Sequence, residues 1–72
     1  MATVSDVATA LRFLRLTLRP GDMFTARQVA EKLGASDYAT ATEVARILST
    51  LTTVRAIAIG AGDLPDGLWE FV

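Results

Sequence analysis

The most constraining stretch of this chain runs from Phe24 to Gly34, F-T-A-R-Q-V-A-E-K-L-G. Thr25 can cap a helix with its hydroxyl, and Gln28, three residues on, can reach back to the Thr25 backbone amide to complete a capping box. Val29, Ala30 and Leu33 then fall on one side. Gly34 follows at the point where a helix end requires a residue that tolerates positive φ. The spacing therefore predicts a short helix from Thr25 to Leu33 that stops abruptly. An alanine on its inner face lets a second helix cross closely. Arg27, Glu31 and Lys32 lie on its outer side.

A longer helix precedes this stretch. Thr3 or Ser5 can start it, and Pro20-Gly21 must end it. Val4, Val7, Leu11, Leu14 and Leu18 recur with a 3.6-residue period and form the core stripe. Arg12, Arg15 and Arg19 share one flank. Phe13 and Leu16 lie roughly opposite the stripe, where the outer face would meet either a neighbouring element or a partner. Met23-Phe24 is too short to be a strand alone.

After Gly34, Thr40 and Glu43 occupy the positions where a minimal turn would place apolar residues. The apolar pattern resumes only at Val44 and Ile47, so the connection from Gly34 to Ala39 is long, with Tyr38 placed to cover the core edge. T-A-T-E, Thr40 to Glu43, reads as a second capping box, opening a third helix from Ala41 to Leu51 or Thr52. Ala41, Val44, Ile47, Leu48 and Leu51 form its inner face. Its outer face is short-chained and hydroxyl-rich, with Arg46 as its one arginine. Val54 to Ile59 alternates and is β-prone. Leu68 to Val72 is a second strand with Trp69 and Phe71 on one side, and Gly60 to Gly67 between them contains a P-D-G turn.

Composition narrows the function. The 72 residues suit one domain, residues 1–72, near the lower size limit for an independent core. Hydrophobic residues at 51% against 21% charged indicate a folded chain. The absence of cysteine and histidine excludes a disulfide framework and an ordinary zinc site. Carboxylates are scattered; Asp63 and Asp66 share a loop, but turn acids of this kind serve the backbone and solvent. Gly60-Ala61-Gly62 opens a hairpin instead of a helix, so it lacks the anion-binding geometry of a phosphate loop. No catalytic residue, metal, cofactor or small-molecule substrate is expected. No apolar run reaches membrane-span length and no basic-then-apolar leader opens the chain, so a cytoplasmic location is expected.

Helix, short strand, helix, helix, strand, strand, with the capped helix and Gly34 at its centre, resembles the winged helix-turn-helix family over essentially the whole chain. The resemblance implies a mainly α fold with a small β-hairpin: three helices plus a two- or three-stranded wing sheet, the short strand at Met23-Phe24 pairing with the wing. It implies double-stranded DNA as ligand, with the third helix in the major groove, and the role of a transcriptional regulator or phage-type accessory factor. Carried onto this sequence, Thr42, Arg46, Ser49 and Thr50 would face the groove, and Arg27, Lys32 and Arg55 would contact phosphates. Arg46 alone could form a two-pronged contact with guanine. Against this stand a net charge of −1, a wing tip, Gly60 to Gly67, with two aspartates and no basic residue, and Glu43 near the start of the third helix. Few phosphates would be neutralised per copy, so DNA binding would require a dimer or larger assembly. The alternative is a protein-binding winged helix, an adaptor or inhibitor that does not bind DNA. In either case Phe13 and Leu16 are the candidate contact with a second copy or a protein partner.

Overall fold

A computed structural model describes residues 3–19, 21–35, 37–57 and 66–72. In chain order its elements are α1 (Val4–Thr17), β1 (Met23–Thr25), α2 (Ala26–Lys32), α3 (Tyr38–Leu48), β2 (Val54–Ala56) and β3 (Leu68–Phe71). The chain is mainly helical, and its strands form one antiparallel sheet in the order β1-β3-β2.

Helix α1 starts at Thr3. The Thr3 hydroxyl accepts the Asp6 N–H at 3.1 Å, and the Asp6 carboxylate accepts the Thr3 N–H at 3.3 Å. The helix ends at Thr17, before Pro20 is reached. A proline has no N–H to continue the ladder and forces the preceding Arg19 out of helical geometry. The chain then reverses through Gly21 at φ 88°, fastened by reciprocal bonds: Asp22 N–H to Arg19 C=O and Arg19 N–H to Asp22 Oδ2, both 3.0 Å. Val7, Leu11 and Leu14 are buried with Ala10, and Leu18 is partly buried, whereas Val4 is exposed on the first turn, beyond the reach of the core.

Helix α2 has the expected cap. Thr25 Oγ1 accepts the Gln28 N–H at 3.2 Å and Gln28 Oε1 accepts the Thr25 N–H at 2.7 Å. Gly34, at φ 85°, ends it. Helix α3 begins earlier than the T-A-T-E box indicates. Asp37 is the N-cap, its carboxylate accepting the Thr40 N–H at 3.1 Å. A charged acceptor three residues upstream takes the cap, so Thr40 and Glu43 are interior residues of the helix. This leaves Tyr38 64% exposed on the first turn, not over the core edge. Helix α3 also ends at Leu48, short of Leu51. Tight i to i+3 bonds, Thr50 N–H to Ile47 C=O and Leu51 N–H to Leu48 C=O, finish the turn.

Helices α2 and α3 share the largest helix–helix contact. Ala26 and Ala30 of α2 and Ala41 and Ala45 of α3 are fully buried, and small side chains suit such close helix packing; enlarging a buried side chain costs about 1–3 kcal/mol. Phe24, Leu48, Val7, Val29 and Val44 fill the remaining interior. The sheet closes one side. Phe24 lies opposite Trp69 in the β1–β3 register, and its ring is 4.9 Å from that of Phe71. The Trp69 indole is buried with its Nε1–H unbonded among the described residues. Strand β2 follows the expected strand up to Ala56, and Ile57 N–H continues the ladder to Leu68 C=O at 2.9 Å. Ala58, Ile59 and the loop from Gly60 to Pro65, with Asp63, lie outside the described residues.

Candidate nucleic-acid interface

The outer side of α3 is determined by helical geometry. With Ala41, Val44, Ala45 and Leu48 buried, residues 42, 46, 49 and 50 project from the opposite side at intervals of three or four. Thr42 and Arg46 share a shallow depression with Tyr38, Ala39 and Glu43. Arg46 is exposed in the last helical turn, where the negative end of the helix dipole favours a cation. Ser49 and Thr50 continue the surface beyond the last turn and are exposed, whereas Thr42 is partly covered.

The hydroxyls on this surface are engaged by their own helix. Thr42 donates to Tyr38 C=O at 2.8 Å, Thr50 to Ile47 C=O at 2.7 Å and Ser49 to Arg46 C=O. Each retains acceptor capacity, but donating to a phosphate requires exchanging an existing bond.

The basic residues grouped around α3 by sequence are divided by the structure. Arg27 Nε is 2.9 Å from Asp66 Oδ1 and a second guanidinium nitrogen is 3.5 Å from Oδ2. That hydrogen bond and the charge of Asp66 raise the Arg27 pKa above its ordinary value. Arg55 sits directly across from Glu70 in the β2–β3 register and donates its Nε–H to that carboxylate. Lys32 and Arg46 are exposed and form no ion pair among the described residues. Glu43 stands beside Arg46 in the depression. Among the described residues, the charge of Arg27 and Arg55 is therefore compensated, and Lys32 and Arg46 carry no ion pair.

Phe13 and Leu16 are 59% and 83% exposed on the outside of α1, so no other described element covers them. Sequence reasoning did not reveal that the Arg12, Arg15 and Arg19 flank faces Phe71: the Arg15 guanidinium lies 5.0 Å from the centre of that ring. The helical spacing of the arginines was visible, but the return of β3 to their side was not.

Among the described residues no helix is long and apolar enough to cross a membrane, and no group of three acids could hold a metal. No protein family, curated protein or solved structure matches the chain.

Proposed function

We propose that this chain is a winged-helix module that binds duplex DNA through α3, as a small regulator or accessory factor without catalytic activity. The observation that carries the reading is the outer side of α3: Arg46 exposed without an ion pair among the described residues, beside short side chains that would let a helix enter the major groove. The order of helices and strands and the antiparallel pairing of β1 with β3 support it. Arg46 reads a base edge, and Lys32 contacts phosphate. Arg27 and Arg55 join only by exchanging Asp66 and Glu70 for phosphate, which is feasible because exposed ion pairs contribute little, about 0–1 kcal/mol. One copy is thus a weak binder, and neighbouring copies on one duplex supply the rest of the affinity.

Fluorescence anisotropy with random duplex DNA, followed across a salt series, tests this. The single phosphate contact of Lys32 predicts a log–log salt slope of about −1 per copy, and recruitment of Arg27 and Arg55 steepens it towards about −3. Absence of binding at low salt and high protein concentration rejects DNA as the ligand.

A second reading, a protein-binding winged helix, draws on a separate observation. The α3 surface is near neutral, while Phe13 and Leu16 expose large apolar side chains on α1. Isolated exposed apolar residues are ordinary, but two within one turn of one helix form the beginning of a contact.

A further inference from the structure

We infer that the flank of α1 facing β3 is a docking groove for an extended acidic segment of another protein carrying an aliphatic or aromatic side chain. Two adjoining clefts, of about 310 and 380 Å³, meet there and share Arg15 and Phe71. Leu11 and Leu51 form the apolar floor of the first, with Arg12 at its rim. Leu18 and Arg19 line the second. Arg12, Arg15 and Arg19 are all exposed, and none forms an ion pair among the described residues. Asp22 also lines the second cleft, and its carboxylate accepts the backbone N–H of Arg19.

Charge complementarity selects the sign of the occupant. Three guanidinium groups along one flank, beside an apolar floor, suit carboxylates alternating with an apolar side chain. The spacing selects its length. Arg12 lies about 7.5 Å along the helix axis from the last helical residue, Thr17, and Arg19 stands two residues beyond it, past the extended Leu18, so the pair is too far apart for one carboxylate or phosphate to bridge and suits about three to four residues of extended chain. The floor disfavours nucleic acid. A phosphodiester has no apolar group to place on Leu11 and Leu51, and a base needs an open ring to stack on, whereas the face of Phe71 is covered by Arg15. This groove is separate from the α3 surface and does not depend on DNA binding there.

The test uses 15N-labelled protein and the peptide acetyl-Asp-Glu-Leu-Phe-Asp-Glu-amide at low salt. The Nε resonances of Arg12, Arg15 and Arg19 and the amides of Leu51, Thr53 and Phe71 are expected to shift together. Replacing the peptide's Leu and Phe with Ser should weaken binding about tenfold, as should the double variant Arg12→Glu, Arg19→Glu. Both substituted arginines are exposed, so the melting curve of the variant should match the parent; the two peptides test the proposal on the parent protein in any case. No shift on the α1 flank overturns the inference. So does equal binding of the Ser peptide, which would reduce the groove to a charged surface, or a random-sequence duplex that moves the same resonances more strongly.

Discussion

Replacing Phe13 with Ser separates core from contact surface on α1. The ring is 59% exposed and Leu16 is 83% exposed. Full burial of such a side chain contributes about 1.5–3 kcal/mol, so the part of Phe13 already buried accounts for about 1 kcal/mol of folding stability. Serine and phenylalanine have similar helix propensity, so the backbone adds little. Urea unfolding followed by fluorescence of the buried Trp69 should therefore show a loss of about 1 kcal/mol. The exposed parts of the two side chains offer about 2–4 kcal/mol per copy for burial against a partner. Doubled across a symmetric pair, this exceeds the association cost of about 4–15 kcal/mol only at its favourable limit, by about 4 kcal/mol, which limits a dimer held by these side chains alone to roughly 1 mM at its strongest. Sedimentation velocity at micromolar concentration should find a monomer. A stability loss above about 3 kcal/mol would place Phe13 in the core, and a submicromolar dimer dispersed by Phe13→Ser would refute the burial argument from the other side.

Three further outcomes are expected. If α3 reads DNA, Arg46→Ala should cost about 1–3 kcal/mol at a preferred site and relax base preference there; Asp66→Asn, which removes a carboxylate charge beside Arg27, should strengthen binding to all duplexes, both measured by anisotropy. Gly34→Ala should destabilise by about 1–2 kcal/mol, because φ is 85° although a Cβ would meet nothing within 4 Å; Gly34→Asn should lose less, and thermal melting compares the two. Hydrogen bonds from the Thr40 hydroxyl and backbone N–H lower the pKa of Asp37 below its ordinary 3.8. The cap is therefore fully effective above about pH 4 and is lost as pH falls through the lower folded value. Melting curves at acid pH should show this dependence in the parent and not in Asp37→Asn, which caps without titrating.

What was legible in the sequence was local. The Thr25–Gln28 box and Gly34 lie within ten residues, and their hydrogen bonds and positive φ form from that segment alone. The two C-terminal strands followed from β-prone segments, whereas Met23-Phe24 was too short to read as a strand alone and its pairing was expected only from the winged-helix resemblance; both pairings are present. The start of α3 was misread because two capping residues compete within three positions. Thr40 has the better motif, but Asp37 has the stronger acceptor, and an N-cap at Asp37 adds a turn carrying Tyr38 and Ala39. The Arg27–Asp66 pair, 39 residues apart, leaves no periodic trace in the chain. Nor does the approach of Phe71 to Arg15, which depends on β3 lying between β1 and β2.

Charge is where this long-range information alters the functional argument. By sequence, seven cations and eight acids are nearly balanced, and nothing in their spacing distinguishes the basic residues around α3 from those on α1. In the fold, Arg27 and Arg55 face Asp66 and Glu70, whereas Arg12, Arg15 and Arg19 line clefts with apolar side chains and, in the second, Asp22. Binding at α3 must then draw on shape and a small number of contacts, since each recruited arginine leaves a carboxylate close to the incoming phosphate. Among the described residues the α1 flank has no ion pair to lose when an acidic segment arrives, although Asp22 lines its second cleft. Raising salt screens exposed charges beyond a Debye length of about 10 Å at 0.1 M. An acidic peptide should therefore dissociate from α1 as salt rises, while its apolar side chain retains residual binding on Leu11 and Leu51. A duplex on α3 has no such apolar anchor, and its residual binding at high salt rests on Arg46 alone.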